Sequence, residues 1–101
     1  MAAACLMVRA VLANAADRPA FDHWYRTEHL PEATAAFGAT RAWRCWSLTE
    51  PATHFAFYEF PEVATAQALE TSANMAAMKA EFDRHWDGRV SRVREVMELA
   101  P

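Results

Sequence analysis

At 101 residues the chain is sized for a single domain, residues 1–101, with a real core and enough surface to gain from a partner. A hydrophobic content of 53% beside 23% charged residues excludes intrinsic disorder. The net charge of −3 with scattered basic residues argues against nucleic acid as a partner, and no run approaches the ~20 apolar residues that span a membrane.

The opening run to Val8 superficially resembles a secretory leader, but it lacks a basic start and Arg9 interrupts it, so a cytoplasmic location is expected. Cys5 to Ala13 reads as a strand, with Leu6, Val8, Ala10 and Leu12 on one face and Met7, Arg9 and Val11 on the other. Asn14 to Asp17 is a connection, with Asp17 as candidate N-cap and Pro19 in the first turn of a helix that runs to about Glu28. Pro31 has no N–H for the Thr27 carbonyl, so the helix is expected to kink or restart there; Glu32 to Phe37 continues it and Gly38 stops it.

Thr40 to Leu48 is the second strand, where Arg41, Trp43 and Cys45 alternate with Ala42, Arg44 and Trp46. Glu50 to Thr53 makes a turn, and His54 to Phe60 is an aromatic third strand. Pro61 to Ala73 and Asn74 to Asp87 form a second helical region, in one piece or two, with Met75, Met78, Phe82 and Trp86 as its core stripe. Gly88 caps it, and Val90 to Leu99 is the last strand. Cys5 and Cys45 lack CxxC spacing and read as free thiols in a reducing compartment.

The order βαββαβ predicts an α+β, ferredoxin-like sandwich: a four-stranded antiparallel sheet with its helices on one face. The strands are apolar on both faces, and no residues remain to cover the second one. A homodimer joined through the sheets into an α/β barrel is therefore expected. Four Trp, six Phe and two Tyr are too many to bury deep in so small a core, so some should line a cavity or an interface.

The segment from Phe21 to Glu32 carries the strongest hint of a site. On a wheel of about 100° per residue, Ala20, Phe21 and Trp24 define an apolar side with Glu28 in its middle. Arg18, Asp22 and Arg26 lie opposite as solvated i,i+4 pairs. A carboxylate on a buried stripe is costly unless paired, so Glu28 is expected to be buried against Arg9, His29 or another polar group; the other outcome is a carboxylate that frays into solvent near Pro31. His29, at the edge of the stripe, is the acid/base candidate because imidazole titrates near neutrality, although a His at a helix end also serves as a simple cap.

Trp24 and Tyr25 read as core or pocket wall. Arg9, alone among apolar residues, is a candidate anchor for a carboxylate or phenolate, or an ion-pair partner of Glu28 or Glu59. His54, beside a turn, reads as surface, and His85 as half-buried filler. Glu28, His29 and Glu32 share a turn without a second cluster, so no metal site is expected. Haem would depend on His54 or His85 as axial ligand, and no phosphate loop or serine nucleophile motif is present, so no cofactor is expected.

The stretch His23-Trp24-Tyr25-Arg26-Thr27-Glu28-His29-Leu30-Pro31-Glu32 resembles the aromatic-Trp/Tyr-x-x-Glu-His-(Leu/Ile)-Pro-Glu helix of the dimeric α/β-barrel superfamily, on its EthD-like side. Gly38, the strand end Tyr58-Glu59 and the helix Asn74-Met75-Ala76-Ala77-Met78 extend the likeness over nearly the whole chain. The resemblance implies a ferredoxin-like dimer with a pocket between sheet and helices in each subunit. The superfamily hosts polyketide cyclases, lactone isomerases, quinol-forming and haem-degrading monooxygenases and a dye-decolorising haem group, and its fold does not choose among them.

The expected function is a cofactor-free enzyme acting on a hydrophobic, aromatic or polyketide-like carbonyl compound. His29 would move the proton, Glu28 would orient it or act as the acid, Arg9 would hold an oxyanion, and Trp24 and Tyr25 would frame the substrate. Two alternatives stand beside it: a ligand-binding or accessory protein without turnover, and a cofactor-independent or haem-linked monooxygenase.

Overall fold

A computed structural model describes residues 2–101. Strands β1 (Ala4–Leu12), β2 (Arg41–Trp46), β3 (Thr53–Phe60) and β4 (Val90–Glu98) form one sheet in the order β2-β3-β1-β4, with every neighbouring pair antiparallel. The strands with the most regular apolar rows, β1 and β3, take the centre, where both edges are hydrogen-bonded. Leu6 stands between Tyr58 and Val96, Val8 between Ala56 and Arg94, and Ala10 between His54 and Arg92, so this row lies on one face.

That face carries the helices α1 (Arg18–Trp24), α2 (Leu30–Phe37), α3 (Val63–Leu69) and α4 (Ala73–Trp86). Leu6, Phe21, Tyr25, Tyr58, Phe60 and Phe82 are buried between the layers. The architecture is the α+β, ferredoxin-like one expected. Gly38, at φ 69°, ends α2 in the left-handed conformation that an L side chain resists. Ser72 caps α4 by accepting a hydrogen bond from the Met75 amide at 3.0 Å.

The helix is not broken at Pro31. The path stays helical from Arg18 to Phe37 because Tyr25–His29 forms a five-residue π turn, in which the Leu30 N–H donates to the Tyr25 carbonyl. This wider turn keeps the path helical without the bond that Pro31 is unable to give to Thr27, and leaves the proline in the first turn of α2, where no N–H is required of it.

The opposite sheet face bears no helix. Trp43 stacks on Phe57 with ring centroids 5.4 Å apart, Phe57 stacks in turn beside Phe55 at 6.3 Å, and Val93 is 60% exposed. The sheet is thus apolar on both faces, as its strand sequences imply.

Candidate functional site

Along the continuous helix the buried positions are Phe21, Trp24, Tyr25, His29, Ala33 and Phe37. Phe21, Tyr25, His29, Ala33 and Phe37 follow one another at four-residue intervals, and Glu28 lies outside that row. Glu28 is exposed, and the expected burial against Arg9 or His29 is overturned. The stripe's other end also differs, since Ala20 is exposed.

His29 is only 6% exposed and sits in an aromatic box. Its ring stacks on Trp24 at 4.7 Å and 18°, and meets Tyr25 at 4.8 Å and Phe82 at 5.7 Å edge-on. Nδ1 is sealed from solvent and has no hydrogen-bond partner. The Glu81 carboxylate is 3.9 Å away, beyond hydrogen-bond reach. Burial, reinforced by the nearby Arg92 charge, lowers the His29 pKa from 6.5 to about 4 despite an opposing pull from Glu32. The imidazole is therefore neutral at pH 7 and its approach to Glu81 is not an ion pair. Glu32 and Glu81 themselves interact: a side-chain hydrogen bond between them leads the causes that raise the Glu32 pKa.

Between the sheet and the helices runs a cleft bounded by Leu6, Val8 and Tyr58 below and by Tyr25, His29, Phe37, Met75, Met78 and Phe82 above. Its enclosed part is about 20 Å³, room for one water, whereas the whole open cleft reaches about 320 Å³. On its floor the hydroxyls of Tyr25 and Tyr58 stand 3.2 Å apart. Burial pushes the Tyr25 phenol up to about 12 and that of Tyr58 well above 10, so both remain protonated and able to donate. Tyr25 lines the cleft; Trp24 is buried behind His29 and does not line it.

Three cations reach the same cleft: Lys79, Arg92 and Arg94. The two arginines share the helix-facing row of β4 with Val90 and Val96. Arg92 lies over the Phe82 ring at 4.0 Å and donates to Asp83 at 3.0 Å. The reading of the sequence missed both. Their period-two placement between valines is visible in the chain, but the other row of β4, with Ser91, Val93 and Glu95, is equally mixed and gives no reason to turn the arginines inward.

Arg9 stands elsewhere. It lies on the helix-free face, its guanidinium 3.6 Å from Glu50, while Glu59 bonds Arg41 at 2.6 Å. Its position in the sheet points it away from the cleft, so neither expected ion pair forms and Arg9 does not line the cleft.

His54 corrects a second expectation. It is 0% exposed, because the strand register puts it opposite Ala10 on the helix-bearing face. Its Nε2 is 3.3 Å from Arg44 Nη1, which donates to Asp22 at 2.9 Å, and Trp46 Nε1 donates to the same Asp22 oxygen at 2.8 Å. The Trp46 bond leads the causes that lower the Asp22 pKa, and Asp22 is thereby tied to the sheet instead of forming a solvated helix pair. Burial, then Arg44, takes the His54 pKa down to about 3. His85 is exposed, its ring 5.0 Å from that of Trp24.

Among the described residues, no group of three or more His, Cys, Asp or Glu is placed to hold a metal ion, and no helix is long and apolar enough to cross a membrane.

No family model and no curated protein sequence matches the chain. Solved structures do. An ethyl tert-butyl ether d (EthD) family protein from Bacillus halodurans is similar at a TM-score of 0.63 and 11% identity, over 94% of this chain and 97% of that one. A dimeric ferredoxin-like protein from an uncultured marine organism is similar at 0.64 and 13%, over 100% and 98%. SnoaB from Streptomyces nogalater, described as a cofactor-independent oxygenase, is similar at 0.64 and 5%, over 100% and 96%. Likeness at these identities establishes the ferredoxin-like fold.

Proposed function

We propose that the protein is a cofactor-free small-molecule enzyme in which His29 acts as general base on a hydrophobic, aromatic carbonyl compound bound in the cleft. The observation that carries this reading is a neutral imidazole at the wall of the cleft with a buried, unpartnered ring nitrogen. His54 Nδ1 is likewise buried without a partner, but His54 does not line the cleft.

The low His29 pKa of about 4 bears on the substrate. A base that weak removes a proton only from an acidic C–H or O–H, such as the carbon between two carbonyls or a phenol. The proton passes from the substrate to an imidazole nitrogen, leaving an enolate or phenolate. The new anion raises the proton affinity of the ring, and the Tyr25–Tyr58 pair, in which one hydroxyl donates to the other, has its second O–H as a donor to the oxyanion. Glu81, rather than Glu28, is the carboxylate near enough to steady the imidazolium.

The same first step serves an isomerase, a cyclase, or an oxygenase whose substrate carbanion reacts directly with oxygen. The likeness to SnoaB carries the fold and not this choice. Homodimerisation through the helix-free sheet face belongs to the proposal, and is supported by the aromatic residues on that face and by a structural neighbour described as dimeric.

The test is hydrogen–deuterium exchange at the acidic carbon of aromatic 1,3-diketones in D2O, followed by NMR. The protein should accelerate exchange, and His29→Ala should lose about 100-fold or more of that acceleration while remaining folded. Binding of the diketones without accelerated exchange would instead make this a ligand-binding protein.

A further inference from the structure

We infer that the cleft is built for an amphipathic anion: a ligand with an apolar, aromatic body and an ionised carboxylate that docks against Arg94, with Lys79 and Arg92 beside it. This deepens the proposed function and rests on the same cleft, but it draws on groups that the acid/base step does not use.

The first observation is a charge imbalance. Lys79, Arg92 and Arg94 all line the cleft, on a chain whose net charge is −3. Two carboxylates face these three cations. Asp83 holds Arg92 at 3.0 Å, while a single Glu70 oxygen is shared by Lys79 and Arg94 at 3.8 Å each. Neither contact to Glu70 is a hydrogen bond, and Glu70 is itself 46% exposed, where an ion pair contributes little.

The second observation is an unmade bond. Arg94 Nε is sealed from solvent and has no hydrogen-bond partner, although the side chain as a whole is 21% exposed. A buried donor left unsatisfied is unfavourable, and a guanidinium presents its donors in a fork that matches a carboxylate. A carboxylate entering from the cleft would supply the missing acceptor.

The remaining walls suit the rest of such a molecule. Leu6, Val8, Phe37 and Phe82 are apolar, and the unbranched side chains of Met75 and Met78 can yield to admit a ring that the enclosed space does not accommodate in its closed form. The field of Arg92 reaches the helix side of the cleft, where it disfavours a proton on His29 and favours ionisation of Tyr25. An anion bound at this end would weaken that effect and make His29 a stronger base, which links ligand charge to the reaction.

The experiment compares 1-hydroxy-2-naphthoate with its uncharged methyl ester by isothermal titration. The naphthoate should bind about 10-fold or more tightly than the ester, as expected for a charge-assisted pair, and the preference should shrink with added salt. Arg94→Met should remove the preference, Arg94→Lys should restore part of it, and Glu70→Gln, at an exposed position, should tighten naphthoate binding about 3-fold by removing the competing carboxylate. The inference is overturned if the ester binds as well as the naphthoate, if no naphthoate binding is measurable at millimolar concentration, or if folded Arg94→Met keeps the preference. His29→Gln separates the two proposals. Charge preference that survives in this variant while wild-type protein exchanges no diketone proton sinks the base alone; exchange without charge preference sinks the anion site alone.

Discussion

His29 and Glu28 are neighbours with opposite environments, and their substitutions should differ accordingly. Glu28→Ala removes an exposed side chain and should change stability by no more than about 0.5 kcal/mol, read from the denaturant midpoint. The buried histidines give stability a pH dependence of known sign. His29 and His54 are held near 4 and 3, below the ordinary 6.5, so at mildly acid pH the unfolded chain takes up protons that the folded one refuses. Stability is greatest above about pH 6.5 and falls as pH drops towards those values, with His29 alone accounting for about 3 kcal/mol at full protonation. Thermal melts from pH 7.5 to 4.5 should show a steady fall in Tm, and the His29 ring signals should remain those of neutral imidazole at pH 5.5. A ring that titrates near 6.5 would contradict its burial. At this scale the sequence pointed to His29 because few side chains change charge near neutrality, but it also expected Glu28, one residue earlier, to be buried, and it passed over Arg92 and Arg94, which line the cleft, in favour of Arg9, which does not.

The wall of the cleft depends on individual elements. Helix α4 contributes Met75, Met78, Lys79 and Phe82, and its first turn is held by the Ser72 cap. Ser72→Ala should therefore cost about 1 kcal/mol, measured by urea denaturation. The same loosening should weaken naphthoate and its ester alike, in contrast to Arg94→Met. Strand and helix positions were legible because periods of two and 3.6 persist over several residues: β1 and β4 begin and end within a residue or so of expectation. The π turn was not. Pro31 announces a disturbance, yet whether the chain breaks, kinks or widens is decided by what lies on either side. Here Phe21 and Tyr25 upstream and His29, Ala33 and Phe37 downstream are all buried, and the π turn carries the helix past Pro31 with that row unbroken.

For the molecule as a whole, the uncovered sheet face makes the sharpest prediction. Light scattering after gel filtration should give twice the 11.4 kDa chain mass, and Tm should rise with protein concentration. Phe57→Lys, which puts a charge in the middle of the aromatic face, should yield a monomer with the cleft intact. A wild-type monomer at micromolar concentration would mean that the face is tolerated in water or serves another partner.

The sequence by itself determined the βαββαβ order, the two apolar faces of the sheet and the place of His29 in a singular helix, because each of these is a local pattern of side-chain chemistry along the chain. Tertiary structure alone decided which residues meet. Arg92 and Arg94 enter the cleft because the β1–β4 register aligns them with Ala10 and Val8 on the helix-bearing face. His54 is buried for the same reason, opposite Ala10. Glu28 stays outside because the buried row runs through Phe21, Tyr25, His29, Ala33 and Phe37. In each case a shift of one residue along a strand or around a turn exchanges inside for outside, and that shift is set by contacts between segments distant in the chain.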